Sequence, residues 1–265
     1  MLTALPFIIL NSSIKSIYLV WLRYFKVFRR SLVYGLVTTF TEPILYLLSF
    51  GFGLGSLIGD IKVGDISLSY RQFIFSGIVA QTIMFQAFFE AAYGSFIRMY
   101  YQKVFQAVAV TPVTLSEILW GEIIWDSSKA TFSVSVVLMI GCVTGDFNLL
   151  GSIAVLPICF FFAMIFSSLG LFVASKSRTI EEISYPQYLL IFPMFLFCGV
   201  FFPLETLPKY LQWVALALPL TSVVSIVRTF ILGLPLFTPA IFISLFWLAV
   251  LIPISRNSMK NRLVK

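Results

Sequence analysis

Long apolar runs, each wide enough to cross a lipid bilayer, decide what this chain can fold into. Residues 149–174 and 236–254 carry no charged side chain at all. About 20 consecutive apolar residues cross a ~30 Å hydrocarbon core as a helix. Composition points the same way: 60% of the residues are hydrophobic and 11% charged, where a soluble domain has about 25% charged. Such a chain has too few polar groups to cover a water-facing surface, so the bilayer is its solvent. Backbone polar groups in lipid are satisfied only inside helices or a closed barrel. The runs here are continuous, unlike the short alternating segments of a barrel. The expected fold class is an all-α polytopic membrane protein with six transmembrane helices in one membrane domain.

The spans are expected near residues 32–57, 72–96, 115–145, 149–174, 185–202 and 236–254. The third would be about 46 Å long at 1.5 Å per residue, so its first turns should project into the cytoplasm. Met1 to Leu10 is apolar but lacks a basic leader, so no cleavable signal is expected. Residues 1–30 are expected to form an N-terminal segment set apart from the six-helix membrane domain, 31–265. Within it Ile17, Trp21, Phe25 and Phe28 recur at helical spacing among Lys15, Arg23, Lys26, Arg29 and Arg30. That pattern suits an amphipathic helix in the membrane surface, or a cytoplasmic extension of the first span. Gly51, Gly55 and Gly59 stand four apart, which permits close helix approach. A short polar loop follows at 60–70. Pro203, Pro208 and Pro219 interrupt residues 203–233. Two half-helices re-entering the outer leaflet are expected there, before the last span.

Lys and Arg set the orientation. Thirteen fall in the N-terminal segment, 98–112, 175–182 and the tail, against four at Lys62, Arg71, Lys209 and Arg228. The positive-inside rule puts the thirteen, and both chain ends, in the cytoplasm. The net charge of +7 therefore reads as cytoplasmic loops and anionic lipid headgroups rather than nucleic acid.

Charges inside spans cost roughly 2.5–3.5 kcal/mol each at the helix centre. Glu42 lies in the first span and Glu90 near the inner end of the second. Glu122, Asp126 and Lys129 share one face of the third, where Asp126 and Lys129 are placed to pair locally. They either line a polar pathway or hold subunits together, or else sit at headgroup level or pair silently. The segment 98–112 mixes Met99, Tyr100, Val104, Phe105 and Val108 with Arg98, Lys103 and Gln106, and ends at Thr111-Pro112. It reads as a short amphipathic cytoplasmic helix, either docking a partner or serving as an interfacial linker.

Absences narrow the chemistry. There is no histidine, which removes the usual base and zinc ligand. Cys142, Cys159 and Cys198 sit in apolar runs, so no disulfide framework or metal site is implied. No phosphate-binding Gly-x-x-x-x-Gly-Lys-[Ser/Thr] loop exists, so this chain is not expected to hydrolyse ATP. A membrane enzyme acting on lipids is disfavoured on the same grounds. A proton-coupled carrier using Glu42, Glu122 and Asp126 as relays stays an alternative.

The run 87–99, Ala-Phe-Phe-Glu-Ala-Ala-Tyr-Gly-Ser-Phe-Ile-Arg-Met, followed by Thr111-Pro112, Gly121-Glu122-Ile-Ile-Trp125 and Lys129, closely resembles the permeases of type 2 ABC exporters. Glu42-Pro43 with the glycines after it, and Phe202-Pro203-Leu-Glu-Thr-Leu-Pro208, resemble the same family. The likeness is greatest to the nodulation-factor (lipo-oligosaccharide) and polysaccharide export branch, with drug or lipophile exporters of the same class as the alternative. The resemblance implies a surface-lying N-terminal helix and a coupling helix from Arg98 through Val108, closed by Pro112. It also implies a permease homodimer with two cytoplasmic ABC ATPase subunits that bind the ATP and magnesium, in a bacterial inner membrane. The cargo implied is a lipid-linked oligosaccharide or polysaccharide, and no cofactor is expected in this chain.

Overall fold

The computed structural model describes residues 5–30, 32–56, 58–63 and 66–263. Residues 1–4 of the N-terminal segment, Leu57 of the first span and Lys265 of the tail lie outside the described residues. Helices dominate. Helix α1 is Leu5–Arg30 and α2 is Leu32–Tyr46, which continues through a π turn, Leu47–Gly53, and a 3-10 turn, Leu54–Ser56. A small antiparallel hairpin, β1 Ile61–Val63 and β2 Ile66–Leu68, occupies what the sequence offered only as a polar loop. Helix α3, Tyr70–Phe89, passes through a π turn at Glu90–Gly94 into α4, Ser95–Tyr100. Then come α5 Val104–Ala109, α6 Leu115–Val143 and α7 Leu149–Lys176. A rod of short pieces follows: α8 Ser184–Pro186, a π turn Gln187–Ile191 and α9 Phe192–Phe197. Helices α10 Lys209–Ala217, α11 Pro219–Leu232 and α12 Thr238–Leu263 complete the chain.

Local chemistry sets the boundaries. Ser69 and Gln72 exchange side-chain and backbone hydrogen bonds in a capping box before α3, and Thr114 with Glu117 does the same before α6. Asn148 Oδ1 accepts from the Leu150 N–H to cap α7. Pro219 opens α11, and Gly233, at φ 70°, closes it in the left-handed region that favours glycine.

Among the described residues four helices are long and apolar enough to cross a membrane: α3 with α4, α6, α7 and α12. The α10–α11 pair, bent by 83°, makes a fifth if counted as one span. Two short helices thus stand where two half-helices were expected, and the bend is that of a broken span or of a re-entrant pair. The expected first and fifth spans are less regular. Regular α geometry in the first lasts 15 residues before the π turn, and the rod Ser184–Phe197 is about 21 Å long at ~1.5 Å per residue.

Helix α3 is central. Phe73, Ile74, Phe75, Ile78, Val79, Ile83, Met84 and Phe88 are fully buried along it, against α6, α7, α11 and the π turn after α2. Helix α12 is peripheral, with Phe242, Leu245 and Phe246 exposed. In lipid the surroundings are as apolar as these side chains, so close packing rather than escape from water holds the bundle together. Gly170 of α7 shows how close: a Cβ there would lie 2.6 Å from the Phe88 carbonyl oxygen and 3.0 Å from the Ala92 nitrogen. Of the evenly spaced glycines after α2, Gly51 seats the ring of Phe75, whereas nothing approaches Gly59 within 4 Å.

The bundle has two distinguishable ends. Arg71, at the start of α3, pairs with Asp146 after α6 at 2.9 Å. Arg228 of α11 donates to Ser76 and to the Phe73 carbonyl near that same start of α3. At the other end Arg262 donates to the carbonyls of Ala174, Ser175 and Ser177, where α7 finishes. Ser175 and Ser258 hydrogen bond there at 2.7 Å.

Candidate functional site

Three acids and the one base of the sequence's intramembrane set, Glu90, Glu122, Asp126 and Lys129, gather with Arg98 of the 98–112 segment at the second of these ends. The π turn Glu90–Gly94 helps to make this possible. Residues eight apart on a regular helix lie about 12 Å apart along the axis and ~80° apart around it. With the wider turn and long side chains, Arg98 Nη1 reaches Glu90 Oε1 at 2.8 Å. Arg98 then crosses to α6: its Nη2 lies 2.6 Å from Glu122 Oε2 and 3.3 Å from Asp126 Oδ1, and its Nε donates to Glu122 Oε1 at 3.1 Å. Lys129 Nζ meets Glu90 Oε2 at 2.6 Å.

Neutral donors complete the network. The Tyr24 hydroxyl of α1 donates to Glu122 Oε1 at 2.5 Å, and the Ser95 hydroxyl donates to Glu122 Oε2 at 2.9 Å. Ser167 of α7 donates to Asp126 Oδ2 at 3.1 Å, and the Trp125 indole N–H donates to Glu90. The Arg98 guanidinium also lies over the Tyr24 ring, 4.9 Å from its centroid. Glu122 and Asp126 are completely buried. A buried charge persists only when paired and hydrogen-bonded, and each of these is. The network joins α1, α3–α4, α6 and α7 through one guanidinium.

The expected local pairing of Asp126 with Lys129 is corrected here. The two side chains leave α6 toward different neighbours: Lys129 toward Glu90, Asp126 toward Arg98 and Ser167. Glu42 stays apart, half-buried on α2 and without an ion pair among the described residues. Tyr24, Ser95 and Ser167 were not singled out from the sequence, because a lone hydroxyl in an apolar helix carries no local signature.

The segment 98–112 is not one helix. Arg98, Met99 and Tyr100 end α4. Lys103 then takes a left-handed conformation, φ 52° and ψ 29°, and α5 restarts at Val104. Its residues sort by face. Arg98, Met99, Val104 and Phe105 point inward, with Phe105 at 1% exposure. Tyr100, Lys103, Gln106, Ala107 and Pro112 are exposed, and Val108 is half-buried. Val104 and Phe105, assigned with the rest of the segment to a partner-facing role, instead bolt α5 onto the bundle. An amphipathic pattern gives a buried and an exposed face, but not which one meets a partner.

The family model for the ABC-2 type transporter matches residues 15–232. The chain belongs to the ABC-2 type transporter family. The match runs from α1 through α11. Nodulation protein J of Rhizobium leguminosarum bv. viciae is 27% identical over 248 residues, 93% of this chain and 94% of that protein. Nodulation protein J of Rhizobium meliloti (strain 1021) is 29% identical over 217 residues, 82% of this chain and 81% of that protein. The inner membrane transport permease YadH of Escherichia coli (strain K12) is 27% identical over 215 residues, 81% of this chain and 82% of that protein. The protein is thus an ABC exporter permease subunit, a multi-pass inner-membrane protein that is not itself the catalyst. Membership of the family implies an ABC ATPase partner.

Proposed function

We propose that the permease transmits ATPase motion through α5 into the bundle by way of Arg98, and exports an amphipathic glycan-bearing lipid. The observation that carries this reading is the placement of the charge network. It begins at the last turn of α4, three residues past which the chain turns at Lys103 into α5, and it ties that turn to three other helices. A force on α5 would reach α1, α6 and α7 through stiff contacts, which suits a bundle with two discrete packings biased by nucleotide in a partner. In this reading the ATPase binds the ATP and magnesium, and this chain holds no cofactor. The exposed side of α5, Gln106 and Ala107, with Val110 just past its end, meets the ATPase. Arg98 serves as an internal positioning residue.

The finer architecture proposed is six spans, counting α2 with its π turn and the rod Ser184–Phe197. Both chain ends are cytoplasmic, α1 lies in the inner interface, and 1–30 and 31–265 divide the chain. Two copies form the permease, with Glu42 on the helix that opens the bundle. A drug or other lipophile is the alternative cargo. Every acid of the network already has a cationic partner, which favours a structural relay over proton-coupled transport.

The test uses the tagged chain co-expressed with its ABC ATPase. Ala107→Arg, on the exposed side of α5, should abolish stoichiometric co-purification while the permease itself stays folded in detergent. Unchanged association would overturn the docking reading.

A further inference from the structure

At the end of the bundle opposite the charge network, a cavity of about 360 Å³ lies beneath the bent α10–α11 pair. Its walls are mainly apolar, including Leu204, Leu216, Val224, Leu234 and Phe237. Among the described residues one cation faces it. Arg228 of α11 is 8% exposed. Its guanidinium stacks on the Phe73 ring, 3.7 Å from the centroid. Its Nε donates to Ser76 Oγ at 3.1 Å, and its Nη2 to the Phe73 carbonyl at 3.2 Å. Those contacts fix one edge of the fork and use two of its five N–H groups. Among the described residues no carboxylate lies within ion-pair distance of Arg228. One acid among the described residues lines the cavity, Glu205, exposed on the short turn before α10. Gln212, Thr221 and Ser225 add neutral polar groups.

A buried cation without a counter-charge is costly, and the acids and bases of the network at the other end of the bundle are all paired. Here the free edge of a planar donor fork opens instead into a space of ligand size. The fork geometry matches two oxygens of a phosphate or carboxylate. The apolar walls beside it match the first carbons of a lipid chain.

We propose that this cavity binds the anionic headgroup of an amphiphile, with its oxyanion on Arg228 and its chain against Leu204, Leu216 and Phe237. The exposed Glu205 is a weak, displaceable competitor for the same cation. The assignment stands apart from the docking reading, because binding here needs neither the ATPase nor transport.

The experiment uses the full chain in neutral phosphatidylcholine nanodiscs and measures binding of dodecyl phosphate, dodecanol and inorganic phosphate. Dodecyl phosphate should bind at least tenfold tighter than either of the others. Arg228→Met should remove that preference, and Glu205→Gln should tighten dodecyl phosphate binding severalfold. Leu216→Trp, which narrows the cavity from α10 while keeping Arg228, should also lose binding and guards against misfolding of the Arg228 variant. Phosphatidic acid added as competitor tells the sources apart. Displacement by it assigns the site to membrane phospholipid as well as cargo, and failure to displace restricts it to single-chain amphiphiles. Inorganic phosphate binding as tightly as dodecyl phosphate would overturn the amphiphile assignment. Undiminished binding in both Arg228→Met and Leu216→Trp would overturn the site.

Discussion

Arg98 bears on two acids of α6 and one of its own helix, so its removal is the most informative single change. Arg98→Met leaves Glu122 and Asp126, both fully buried, without a cation. Breaking a buried ion pair from one side costs about 3–5 kcal/mol, although an apolar replacement of the whole pair is often neutral. Arg98→Met should therefore unfold in detergent at markedly lower temperature. Arg98→Lys should recover only part of the loss, because an ammonium cannot reproduce the fork that meets Glu90 and Glu122 together. Adding Glu122→Gln to Arg98→Met should restore stability relative to the single variant, giving a coupling energy of at least ~1 kcal/mol. Wild-type stability in the Arg98→Met protein would remove the network from the argument. The sequence made the cost of these charges legible but not their partners. Arg98 and Glu122 are separated by 24 positions and Lys129 and Glu90 by 39; local spacing had suggested Asp126 for Lys129. Arg228 was counted only as an outward-side charge, since nothing near it in the chain announces the Phe73 ring.

Among the elements, α3, α6, α7 and α12 were legible because an apolar run of span length has one stable outcome in lipid. The α10–α11 bend was legible from Pro208 and Pro219. The π turns were not, since widening a helical turn needs no special residue. Nor was the break before α5: the apolar spacing continues through Tyr100 and Val104, and Lys103 gives no warning of its positive φ. One π turn has a packing consequence that can be tested. Gly170 of α7 presses on the backbone where α3 passes into its π turn at Glu90. A methyl group there meets a carbonyl oxygen and a backbone nitrogen, not a flexible side chain. Overpacking of this kind costs about 1–3 kcal/mol. Gly170→Ala should lower the unfolding temperature and reduce coupled ATPase stimulation, because the shift displaces Glu90 from Arg98. Ala163, buried on the same helix two turns earlier, offers the control: Ala163→Gly should lose stability without altering coupling.

At the scale of the whole molecule, two independent lines meet. The count of Lys and Arg assigns cytoplasmic and external segments from the sequence. The fold sorts the same segments to two ends without reference to charge: α5, the end of α7 and the end of α12 at one, the hairpin, the 144–148 loop and α10 at the other. Arg71, Lys209 and Arg228 go with the second group, as their assignment to the outside requires. Topology labelling separates the absolute orientation from this sorting. Single cysteines at Gln106 and Lys209 would be introduced after replacing Cys142, Cys159 and Cys198, and intact spheroplasts treated with a membrane-impermeant maleimide. Lys209→Cys should label at once, since the residue is exposed at the start of α10. Gln106→Cys should label only after the membrane is opened. Labelling of both without opening would mean that α5 does not lie on the cytoplasmic side, where an ATP-driven partner has to seat. Labelling in the reverse order would invert the chain and place the Arg228 cavity beside the inner leaflet, so that the same cavity would meet an anionic amphiphile on entry rather than on exit.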